Sequence, residues 1–134
     1  MSYLINNNLT SSVKISATTG VDLTIATTTN LYTVPTGKKL VLLGAVLRIT
    51  AVDTVLVGGT VSIGSNASAY DDFRSAISPS GFDTVDTCLF MDSGLMNSSF
   101  YPIYAAGTVI KININVGVTA TTCTGAVDLF GYLI

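Results

Sequence analysis

Between Val109 and Val116 the chain alternates strictly, with Ile110, Ile112, Ile114 and Val116 on one parity and Lys111, Asn113 and Asn115 on the other. A period of two sends successive side chains to opposite faces of an extended strand, whereas a helix would scatter these apolar residues around its whole circumference. Two earlier segments repeat the pattern: Val13, Ile15 and Ala17 around Lys14 and Ser16, and Val21, Leu23 and Ile25 around Asp22 and Thr24. Composition points the same way. Thr (19), Val (14) and Ile (11) make up a third of the 134 residues, while Glu and Gln are absent and Lys is scarce. β-branched side chains are stiff at χ1 and suit a pleated surface, and the missing residues are the ones that usually cover exposed helices. The chain reads as all-β.

Turn residues divide it into short strands. Asn30 to Val34 is closed by Pro35-Thr36-Gly37, a Pro-then-Gly order that fits a tight turn. Leu40 to Val52 is a long apolar run with Gly44 as a bulge or bend, and Thr54 to Ile63 contains Gly58-Gly59, a hairpin turn or a bulge. Residues 64–82 change character and hold the one helix candidate, Tyr70 to Ile77. Strands are then expected at Asp83 to Met91, at Phe100 to Tyr104 around Pro102, at Val109 to Val116, and from Gly125 to the end. In that last segment both parities are apolar or aromatic apart from Asp128, which implies a strand covered on both faces. Eight to ten short strands with no βα alternation and no fixed repeat predict an antiparallel β-sandwich, and a jelly roll of about eight strands fits the count. Residues 12–134 form that domain. Residues 1–11 read as an N-terminal arm whose apolar knot, Tyr3, Leu4 and Ile5, suits burial against a neighbour.

The same composition removes most catalytic chemistry. With no His there is no Ser–His or Cys–His pair and no His-ligated metal, and with no Glu a glycosidase would rest on Asp alone. A net charge of -2 with 10% charged residues does not mark a partner for nucleic acid or an anionic membrane. Cys88 and Cys123 form no CxxC, so they read as two buried free thiols. Asp92-Ser93-Gly94 resembles the signature of aspartic proteases, but it lies late in the chain, is followed by the large Leu95, and is also an ordinary turn sequence. Asp71-Asp72 and the trio Asp83, Asp86 and Asp92 lack EF-hand spacing and read as solvated loop carboxylates; Lys38-Lys39 lack a phosphate-loop frame. A non-enzyme without cofactor or metal is expected. The N-terminus has no basic-then-apolar leader, and the longest apolar run, Leu40 to Leu47, is far short of the ~20 residues of a membrane helix. A soluble protein made in the cytoplasm is therefore expected. The loop aromatics Tyr70, Phe73, Phe82 and Tyr101 fill the ends of the sandwich, or alternatively stack on sugar rings of a receptor.

Three segments together resemble a known group. Leu31-Tyr32-Thr33-Val34-Pro35-Thr36-Gly37-Lys38 leads into the Leu40 strand, Ala106-Gly107-Thr108 opens the Val109 strand, and the chain stops at Leu129-Phe130-Gly131-Tyr132-Leu133-Ile134. This layout is similar to small jelly-roll proteins of tailed bacteriophages, especially capsid decoration (cement) proteins and some tail-fibre head domains. The ending also resembles tumour-necrosis-factor and complement-type trimeric heads, in which the last strand faces the threefold axis. The resemblance implies a homotrimer with Leu129, Phe130, Tyr132 and Ile134 at its core, bound to a major capsid protein on the outside of the virion. A start at Met1 with no upstream shaft favours the decoration protein over the receptor- or glycan-binding tail tip.

Overall fold

The computed structural model describes residues 14–92 and 101–134. The alternation at Val109–Val116 becomes strand β8, with Ile110, Ile112 and Ile114 fully buried and Lys111, Asn113 and Asn115 on the opposite face. Val116, the fourth member of the row, is exposed at the strand's end. Eight further strands accompany it: β1 (Lys14–Asp22), β2 (Thr28–Thr33), β3 (Leu40–Val52), β4 (Thr60–Gly64), β5 (Arg74–Ile77), β6 (Cys88–Asp92), β7 (Ile103–Tyr104) and β9 (Cys123–Leu133). Every pairing is antiparallel, and no helix occurs among the described residues. One sheet runs β1-β9-β3-β6, with β7 also on β3; the other runs β2-β8-β4-β5. The architecture is a β-sandwich.

The core lies between the sheets. Leu40, Leu42, Leu47 and Ile49 of β3 and Val127 and Leu129 of β9 meet Ile110, Ile112 and Ile114 of β8 and Ile63 of β4. Each such buried aliphatic side chain stabilises the fold by about 1.5–3 kcal/mol relative to exposure.

Local chemistry moves several boundaries from those the sequence suggests. The segments around Ile15 and Val21 are one strand, β1, kept in register with β9 by irregularities after Lys14 and after Thr18. It stops at Asp22 because that carboxylate accepts the Thr24 N–H at 2.8 Å and the Thr24 hydroxyl at 2.6 Å, turning the chain away; Leu23 remains buried and Ile25 is exposed. The expected helix at Tyr70 to Ile77 is instead a loop and strand β5. Ser68 and Tyr70 take positive φ (75° and 49°), and Asn66 Oδ1 accepts the Asp71 and Asp72 N–H groups, which commits the backbone to a turn. The strand expected from Asp83 begins only at Cys88, since Asp86 has φ 73° and Thr87 bonds back to the Thr84 carbonyl through its hydroxyl. The Pro35 turn forms as its sequence suggests, with Lys38 N–H bonded to the Pro35 carbonyl and Gly37 at φ 74°.

Candidate functional site: an apolar sheet face

Strand β3 has a second apolar face, and the register shows what stands on it. Val41 is opposite both Ile103 of β7 and Tyr132 of β9, so these three form one cross-strand row pointing away from the core. After a bulge at Leu43, Gly44 lies opposite Phe130, and Val46 lies opposite both Phe90 of β6 and Asp128 of β9. Phe90 (61% exposed), Ile103 (57%) and Tyr132 (45%) stand out from this face, with Tyr101 (54%) just before β7. Scattered apolar residues on a surface are ordinary; a contiguous group built from four strands of one sheet is not, and it makes this face the candidate site.

The face has relief. Gly44 has no side chain to raise its row, and a Cβ there would sit 3.3 Å from the Phe90 ring. Around it Leu43, Val46, Phe90 and Phe130 line an open hollow of about 300 Å³. One row away, Ile103 and Tyr132 protrude on either side of the buried Val41. Two charge pairs flank the apolar group: Lys14 Nζ lies 3.3 Å from Asp128, and Arg48 donates to Asp86 at 2.9 Å.

The other sheet's outer face is different in kind. Ser62, Asn113 and Asn115 point outward and are met by the 65–73 loop. Asn115 Nδ2 donates to Ser62 Oγ at 3.2 Å, Ser62 Oγ donates to the Ala69 carbonyl at 3.2 Å, and Asn113 Nδ2 donates to Asn115 Oδ1 at 2.6 Å. The Lys111 ammonium stands 5.0 Å from the centre of the Tyr70 ring.

Of the residues the resemblance assigns to a trimer core, Phe130, Tyr132 and Ile134 lie outside the core of this chain, but Leu129 does not. Its parity on β9 sends it between the sheets with Val127, where it is fully buried. Within the single chain, one face of the last strand is the core, while the other carries partly buried Asp128 and Phe130 and half-exposed Tyr132. Tyr3, Leu4 and Ile5 lie outside the described residues. The loop aromatics do not form one group. Phe73 is buried in the core, which removes it from any receptor surface; Phe82 packs against that core from a turn bonded to Leu56; Tyr70 lies under Lys111; Tyr101 alone is more than half exposed. Phe90, Ile103, Leu43 and Gly44 were not singled out by the sequence for this face.

The carboxylates considered for catalysis or metal binding are engaged elsewhere. Asp92 accepts from Arg74 at 2.8 Å, joining β6 of one sheet to β5 of the other, while Ser93 and Gly94 lie outside the described residues. Asp72 accepts from the Ser65 backbone N–H and hydroxyl, and Asp71 from Asn66 Nδ2. No cluster of three metal-ligating side chains occurs among the described residues. Both cysteines are free, but only Cys123 is buried; Cys88 is exposed, contrary to expectation, because it faces outward on β6. Burial, reinforced by Asp22 and Asp53, pushes the Cys123 thiol above its usual range. Burial likewise raises Tyr104, with Asp72 adding to it, and the Tyr104 hydroxyl has no hydrogen-bond partner among the described residues. A second open hollow, about 650 Å³, is lined by Gly37, Lys38, Lys39, Ala105, Ala106 and Ile134. No helix among the described residues is long and apolar enough to cross a membrane. Compared with protein-family models, curated proteins and solved structures, the chain matches none.

Proposed function

We propose that this chain is a non-enzymatic structural protein of a virus shell, a bacteriophage capsid decoration protein acting as a homotrimer on the capsid exterior. The observation that carries the proposal is the apolar outer face of the β1-β9-β3-β6 sheet, with Phe90, Ile103 and Tyr132 exposed. Water-exposed side chains of this size suit permanent contact with protein better than solitary solution life. The low charge, 10% of residues, gives little repulsion between crowded copies. In this reading the sandwich is a jelly roll. Its support is the nesting of pairs, β1 with β9, β2 with β8, β3 with β6 and β7, and β4 with β5, as a long hairpin makes when rolled into two sheets.

The mechanism is binding alone. Three copies associate through the apolar face, and the 1–11 arm and sheet edges grip the major capsid protein. Many modest contacts, multiplied by copy number, then stabilise the shell against rupture. A receptor- or glycan-binding tail tip is the second reading, favoured by the exposed Tyr101 ring, a surface on which a sugar could stack.

The test is solution mass by light scattering followed by cosedimentation with undecorated capsids. A trimer that saturates the shell is expected, and removal of residues 1–11 leaves a folded trimer that no longer coats it. A trimer that ignores capsids but adheres to host cells, and loses adhesion on Tyr101→Ala, overturns the decoration reading in favour of the tail tip.

A further inference from the structure

The hollow over Gly44 and the protruding Tyr132 sit on one face, in adjacent cross-strand rows, and neither is part of the other. We infer that the hollow is a socket for the Tyr132 ring of a second copy of this chain. This rests on the oligomeric reading above and names the contact that would hold the oligomer together.

Shape, chemistry and charge support that occupant. The hollow of about 300 Å³ is walled by the Phe90 and Phe130 rings and by Leu43 and Val46, surroundings that favour an aromatic guest packed edge-to-face. Asp128, the cross-strand partner of Val46, stands beside the hollow and gives the entering phenol hydroxyl an acceptor at the rim. The charges nearest the hollow are paired, Lys14 with Asp128 and Arg48 with Asp86, and Lys39 lies beyond the Tyr132 row. Two copies can therefore meet around the hollow with little like-charge repulsion, while a strongly charged partner would find no complementary field there. Phe90, Tyr101, Ile103 and Tyr132, each about half exposed, offer on the order of 400 Å² of apolar surface, about half of one side of a stable protein interface. A second whole domain is needed to supply the remainder from the surrounding rows. Because each copy carries one protrusion and one socket, the contact can be repeated around a closed ring.

The experiment is sedimentation velocity on the full chain across a concentration series, with Tyr132→Ala, Tyr132→Phe, Gly44→Ala and the Gly44→Ala/Tyr132→Ala pair. Gly44 lies outside the positive-φ region, and an added Cβ comes tightest against the movable Phe90 ring and only into ordinary contact with the Met91 carbonyl, so the variant is expected to fold with an unchanged far-ultraviolet spectrum. Tyr132→Ala and Gly44→Ala should each weaken subunit association by at least about 10-fold, as loss of a central aromatic contact does. The pair should lose no more than the worse single variant, because both remove the same contact. Tyr132→Phe, which keeps the ring, should stay within a few-fold of the parent. Should Gly44→Ala fail to fold, the contrast between Tyr132→Ala and Tyr132→Phe carries the test. An oligomer that persists unchanged in both single variants, or losses that multiply in the pair, overturns the socket while leaving the oligomer intact. A parent chain that is monomeric at every concentration overturns the oligomer and the socket together.

Discussion

The two sheets of this sandwich share one core but turn opposite surfaces outward. The β2-β8-β4-β5 sheet shows Ser62, Asn113 and Asn115, satisfied by one another and by the Ala69 carbonyl of the loop over them. The β1-β9-β3-β6 sheet shows Val41, Val46, Phe90, Ile103, Phe130 and Tyr132, with no loop among the described residues across them. Polar groups leaving water must be paired, and the first face has its pairs within the chain. Apolar groups need only be covered, and on the second face Phe90, Ile103 and Tyr132 remain exposed. The difference is why the proposed contact is sought on one side of the protein.

The sharpest way to break this comparison lies within a single strand. Leu129→Ala empties a core position and should cost about 2–5 kcal/mol of stability, read as a lower denaturation midpoint. Tyr132→Ala, three residues away on the outward face, should leave monomer stability within about 0.5 kcal/mol while weakening assembly. Equal losses of stability in both would show that the outer face is already part of the fold. A smaller effect is expected on the polar sheet. Asn113→Leu removes a side chain that donates to Asn115 and Ala69, and should cost about 1 kcal/mol, measured by urea unfolding. It would also tell whether apolar character alone makes an outer face associate, since a new oligomer in that variant would blur the distinction between the sheets.

The smallest effect concerns pH. Hydrogen bonds from the Thr24 hydroxyl and N–H hold the Asp22 carboxyl below its ordinary value. A depressed carboxylate pKa contributes stability that is present above the unfolded value, 3.8, and is lost as pH falls through the lower folded value. Asp22→Asn should therefore flatten the decline in stability between about pH 4 and the acid limit, and change little at neutrality.

Much of the sandwich was legible because its two strongest signals are local. The Ile110, Ile112 and Ile114 alternation and the Pro35-Thr36-Gly37 turn are set by neighbours in sequence, and both formed as read. The apolar face was only half legible. Phe130 and Tyr132 were visible because both parities of β9 are apolar, yet the same signal in β3 was obscured by the bulge at Leu43, which breaks parity between Leu42 and Gly44. The resemblance groups Leu129 with Phe130 and Tyr132, and a doubly apolar strand does not itself say which side is the core. Phe90 could be placed only by knowing that its strand begins at Cys88, and that boundary depends on the positive φ of Asp86. Phe73 looked like a loop residue because the loop's own hydrogen bonds, which tuck it inward, join residues several positions apart.

The placement of β9 between β1 and β3 has a consequence for synthesis. Both neighbours leave the ribosome long before the strand that joins them. Until Cys123–Leu133 emerges, the apolar length of β3 has no partner on that side and β1 has none at all. Such distant pairing makes closure late and slow, and leaves a sticky unfinished edge during translation. The unpaired edge of the third strand is then the segment most open to wrong pairing until the last strand closes over it.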